Sequence, residues 1–172
     1  MRSSSTRRGL PRGVAIGIVL LVASGTPQVA YGEDAPSAGV RPLTAVELHK
    51  LYRDRTWNWR NGAAHFFDDG RRFLAWVTGD DGESFGEGRF TLSDAGRMCL
   101  IGDWTDRDGT GSDTTCFLHR GDGETIYQKR EGQGDWYVFR HDPVRPDDEV
   151  NKLVEGDDVS ARVTGIRSAL GR

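Results

Sequence analysis

Between residues 55 and 141 the chain alternates short aromatic and β-branched runs with clusters of Gly and Asp, each run about eight to twelve residues after the last. That punctuation predicts an antiparallel meander of strands at Thr56–Trp59, Ala63–Phe67, Arg71–Val77, Ser84–Ser93, Arg97–Trp104, Thr114–Arg120, Thr125–Glu131 and Trp136–His141. The connections are too short for parallel crossovers, so neighbours in sequence must pair. Within the strands both faces carry apolar groups: Met98, Leu100 and Trp104 share one face, whereas Cys99 and Ile101 share the other. A flat meander would leave two long edges unpaired, which points to an all-β fold of about eight strands closing into a small barrel or curled sheet. Gly86 and Gly88 inside one long run predict a bend or bulge where the sheet turns a corner.

Before the meander, Leu43, Val46, Leu48, Leu51 and Tyr52 recur at helical spacing behind Thr44, with Glu47 placed to complete a capping box. A short amphipathic helix over Thr44–Tyr52 follows, its apolar stripe laid on the sheet. After the meander, Pro143 and Pro146 precede Asp147, Asp148 and Glu149, the pattern of a helix start. One or two helical turns are expected there, then a frayed or loosely docked tail. The domain plan is therefore a leader over residues 1–32, a flexible linker over 33–42, the meander over 43–145, and a C-terminal helix with a loose tail over 146–172.

The leader changes the charge picture. Residues 1–32 hold four arginines and no acid, followed by the apolar run VAIGIVLLVA and small residues at Ala30 and Gly32. This is the pattern of a secretory signal cleaved before Glu33, since the run is shorter than the roughly 20 residues of a permanent span. Arg7-Arg8 also permits twin-arginine export. The expected location is periplasmic or secreted, with no stable membrane span after cleavage. Setting the leader aside takes the net charge from −3 to −7, because the four arginines go and all 26 acids stay. Such a balance disfavours nucleic acid as a partner.

Two cysteines remain, Cys99 and Cys116. In an oxidising compartment they should pair, and the midpoint of their positions falls between Arg107 and Asp108, in a turn-forming cluster. A hairpin centred there sets them opposite each other. Other chemistry is sparse. His49, His65, His119 and His141 lack metal-ligand spacing, although His119 and His141 could meet at a barrel rim near Asp142. The acidic stretch from Asp106 to Asp113 lacks the closing Glu of a calcium loop, with Phe117 in its place. No serine-nucleophile elbow occurs, and paired carboxylates are too numerous to single out: Glu83 and Glu87 flank a strand, where such groups can serve glycoside hydrolysis, but turn chemistry explains them equally. No catalytic residue, metal ligand or cofactor site is assigned. Aromatics are more suggestive: Trp57 and Trp59 project on one face, and with Trp76 and His119 they are candidates for a ligand site in the barrel mouth.

The strings LTAVELHKLYRDRTWNWRNGAAHF, GEGRFTL with RMCLIGDW, TTCFLHR and IYQKREGQGDWYVFRH resemble a family of uncharacterised proteobacterial exported proteins, domain of unknown function 995. The resemblance covers about Leu43 to Asp142 and departs from the pattern at Phe90, where Trp is expected. It implies export and a small domain, and carries over no catalytic residue. The expected function is a non-enzymatic β-barrel module of the cell envelope that binds a glycan, a small apolar molecule or a protein partner. One alternative is a small hydrolase of envelope polysaccharide. Another is an inhibitor of an envelope enzyme, docking through the loop from Trp104 to Asp113.

Overall fold

A computed structural model describes residues 39–172. The expected leader and most of the linker lie outside the described residues. The elements run β1 (Arg41–Pro42), α1 (Ala45–Tyr52), β2 (Arg55–Trp59), β3 (Gly62–Phe66), β4 (Arg72–Gly79), β5 (Gly82–Leu92), β6 (Arg97–Thr105), β7 (Thr110–Gly121), β8 (Ile126–Arg130), β9 (Tyr137–Arg140), β10 (Leu153–Glu155) and α2 (Val159–Ala169). Strands β2 to β9 pair consecutively and antiparallel, as the short connections require. β10 returns to the free edge of β2, and β1 pairs with β7 past the end of β6, opposite Arg120 and Gly121. The expected linker therefore ends in a strand at Arg41–Pro42.

The sheet curls into a half-barrel. Inner faces of separate strands meet: the Trp57 ring on β2 lies 5.0 Å from Phe117 on β7 and 6.3 Å from Phe139 on β9. A 3-10 turn, Glu149–Lys152, packs against both β9 and β2 and so bridges the gap between the two ends of the sheet. Two ties hold it there. Buried Asp148 accepts the backbone amides of His141 and Arg145 and lies 2.5 Å from the His141 ring, and Trp57 Nε1 donates to Glu149 at 3.3 Å.

Glycines make the sharp curl sterically possible. Gly88 and Gly102 face each other across β5 and β6, and a Cβ on either would lie 2.2 to 2.3 Å from a backbone oxygen of the partner strand. Register is unbroken there, so the pairing carries no bulge at these glycines; among the described residues a register shift lies between Ile126 and Tyr127. The Trp104 ring lies over Gly86, which has no side chain to obstruct it.

α1 forms as its capping box dictates. Thr44 Oγ1 accepts the Glu47 amide at 3.2 Å, and the Glu47 carboxylate accepts the Thr44 amide at 2.7 Å. Arg41 clamps the same carboxylate at 2.6 and 2.8 Å, and with the Thr44 amide it holds Glu47 down at about 2. The helix buries Leu48, Leu51 and Tyr52 and covers one end of the half-barrel.

The tail departs from expectation. The segment after Pro146 forms the 3-10 turn and β10, and residues 159–169, expected to be loose, form a docked helix. Val159, Val163 and Ile166 pack on the outer face against Ala63, Phe85, Leu74 and Trp76. Asp157 accepts the amides of Val159 and Ser160, Arg162 pairs with Glu83, and Arg167 pairs with Glu87 at 2.6 Å. This helix explains why both faces of β4 and β5 are apolar: one lines the interior and the other lies under α2.

Candidate functional site

Register separates the interior into two ends. Phe66, Phe73, Phe90, Met98, His119, Ile126 and Phe139 lie toward α1, and Trp59, Val77, Trp104, Thr115 and Arg130 toward the opposite end. Around Tyr52, Phe66, His119 and Phe139 the α1 end is packed with side chains, and it opens only at its edge beside Leu43 and Ile126. Phe90, the departure noted above, is buried and meets Phe66 edge-on at 5.4 Å, so a smaller ring completes the packing there.

His119 belongs to this packed region. Its Nδ1 lies 3.3 Å from the Gly96 carbonyl and so carries the proton, leaving Nε2 to accept from Tyr52 Oη and Gln128 Nε2, each at 2.7 Å. Gln128 also donates to Tyr52 Oη at 2.8 Å, and Tyr137 donates to Gln128 Oε1. Among the described residues no buried side-chain polar atom lacks a partner. Burial drives the His119 pKa down to about 4, and it pushes Tyr52 well above its ordinary range. The imidazole is thus neutral, enclosed and fully bonded, the state of a structural polar core.

The opposite end is open. A hollow of about 370 Å³ is walled by Trp57 and Trp59 from β2, Ala75 and Val77 from β4, Leu100 and Trp104 from β6, and Phe117 from β7. Among the described residues, its polar side chains besides the indole N–H groups are Thr115 and Arg130, with a guanidinium nitrogen 3.5 Å from Thr115 Oγ1. Trp57 and Trp59 meet edge-on at 6.4 Å. Alternation places these groups together, since each occupies the inward parity of its strand and the curl brings the strands around to one rim.

Of the four sequence candidates, Trp57 and Trp59 line this hollow, while Trp76 and His119 do not. Trp76 faces outward beneath α2, with the Arg162 guanidinium 5.3 Å from its ring centre. Trp104, one of the tryptophans on other strands, joins Trp57 and Trp59, and the lining residues not foreseen are Ala75, Val77, Leu100, Thr115, Phe117 and Arg130. A hairpin centred at 107.5 already pairs Leu100 with Thr115 and Met98 with Phe117, so their common face was readable.

The disulfide forms as expected: Cys99 and Cys116 are directly paired with α-carbons 4.0 Å apart. His119 and His141 do not share a rim, since His141 turns to Asp148, and among the described residues no three metal-ligating side chains gather. Asp106 accepts the amides of Asp108 and Gly109, making its acidic stretch an ordinary turn. The expected docking loop is itself mostly strand, with only residues 106–109 between β6 and β7. Glu83 and Glu87 are engaged by α2, away from the hollow. No helix among the described residues is long and apolar enough to cross a membrane.

A family model described as a protein of unknown function, DUF995, matches residues 18–159. The chain belongs to that family. No curated protein and no solved structure matches it.

Proposed function

We propose that this member of the DUF995 family is an exported, non-enzymatic binding module that takes a small apolar ligand into the tryptophan-lined mouth of its half-barrel. The observation that carries the proposal is the contrast between the two ends of one interior: packed and bonded around His119, open and apolar around Trp59 and Trp104. Its volume is at the lower part of the range of small-molecule sites, and its walls are of the kind such sites use. Among the three envelope ligands considered, the chemistry favours the apolar one. A glycan needs many hydrogen-bond partners, and among the described residues this hollow supplies only Thr115, Arg130 and the indoles. The disulfide is compatible with export.

The test uses N-phenyl-1-naphthylamine, a neutral apolar fluorophore. Binding is expected to enhance its emission, and Trp59→Ala should weaken binding about tenfold or more through lost aromatic surface. Thr115→Asp, which adds charge at the rim without creating a cavity, should do the same. Trp136→Ala should have no effect, since Trp136 sits on the outer face between Arg120 and Lys129. An unenhanced probe, or equal binding by wild type, Trp59→Ala and Thr115→Asp, would refute the proposal.

A further inference from the structure

At the other end of the half-barrel, beside α1, a second cleft of about 300 Å³ brings together Arg41 of β1, Lys50 of α1, Arg55 of β2 and Arg140 of β9. These four cations come from four separate elements, so no single basic face accounts for their meeting. Among the described residues one acid lines the cleft, Glu47, and it is already occupied by Arg41 and the Thr44 amide. Glu155 lies across from Arg55 in register, yet no ion pair joins them. Among the described residues Lys50, Arg55 and Arg140 enter no salt bridge, which leaves three positive charges converging on one concavity without a protein counter-ion.

We propose that this cleft binds a small phosphate-class anion. An anion in the cleft would be drawn by all three charges, and Arg forks match phosphate oxygens in paired hydrogen bonds. Arg41 is spent on Glu47 and the Pro42 carbonyl, so the anion would be held by Lys50, Arg55 and Arg140. The acidic balance of the chain argues against long polyanions, whereas a site this small needs only one or two anionic groups. The proposal stands apart from the tryptophan mouth, which lies at the far end of the same strands.

The phosphate could belong to a soluble compound or to a lipid headgroup, and the experiment separates the two. Calorimetric titration with inorganic pyrophosphate should show saturable binding that weakens as salt rises. Lys50→Gln should weaken it about tenfold, and combining it with Arg55→Gln and Arg140→Gln should abolish it. Lys50 is exposed, so the single variant retains the fold and keeps the result readable if the triple variant does not. In parallel, sedimentation with phosphatidylglycerol vesicles against phosphatidylcholine vesicles asks whether a headgroup is the source. Pyrophosphate binding alone supports a soluble anion, and vesicle binding lost in Lys50→Gln supports a headgroup. Absence of both, or binding that Lys50→Gln leaves unchanged, overturns the proposal.

Discussion

Replacing Cys99 and Cys116 together by alanine is expected to destabilise the protein by about 3 kcal/mol and lower its melting temperature by about 10 °C. The two residues are separated by 17 positions, and freeing that loop enlarges the unfolded ensemble by an entropy of this size. Alanine is the right substitution, because both side chains are buried and a serine hydroxyl there would add a second cost unrelated to the bond. Urea unfolding of oxidised wild type, reduced wild type and the double variant checks it. The reduced protein should fall close to the variant. Equal midpoints for all three would mean that the bond constrains nothing the β6–β7 hairpin has not already fixed.

The second large effect is on pH dependence. The His119 pKa is lowered in the folded state to about 4 from an ordinary 6.5, by burial. Between those values the unfolded chain binds a proton that the folded chain refuses, so stability rises with pH across the window. Its contribution is therefore complete above pH 6.5, declines as pH falls, and is lost below about 4, for a total of up to about 3 kcal/mol. His119→Gln retains polar contacts with Tyr52 and Gln128 but has no titrating ring. Its unfolding free energy should be lower at neutral pH and flatter between pH 6.5 and 4 than that of the wild type. Parallel curves for the two proteins across that window would show that His119 is not enclosed as described.

These expectations rest on features that differ in how readily the chain discloses them. The hairpin centre at 107.5, the Thr44–Glu47 capping box and the Gly-Asp turns are local signals, and each appears in the structure close to its expected position. The short pairings of β1 and β10 depend on chain ends returning to a sheet already built, so two or three residues carry no pattern of their own. α2 is a different case. Val159, Val163, Ile166 and Leu170 follow a helical stripe, but Gly165 and the intervening polar residues dilute it, and the apolar outer face of β4 and β5 was the missing partner.

The candidate site divides on the same grounds. Trp57 and Trp59 share a face by alternation alone. Trp76 sits in an unbroken apolar run, Phe73-Leu74-Ala75-Trp76-Val77, in which no polar position marks the outer face. His119 does face inward, but at the α1 end, and position along a strand becomes a position in the barrel only after the register of every pairing is set. Trp104 joins the mouth because the sheet curls into a half-barrel, and the degree of that curl is a property of the whole sheet.

The interior of the half-barrel is packed around His119 and hollow between Trp59 and Trp104. Crystals pressurised with xenon test this directly, since xenon collects in apolar cavities and avoids polar or filled ones. The expected result is a xenon atom among Trp57, Trp59, Trp104 and Phe117 and none near Tyr52, His119 and Gln128. Xenon beside His119, or a mouth closed by collapsed indoles with none at all, would contradict it.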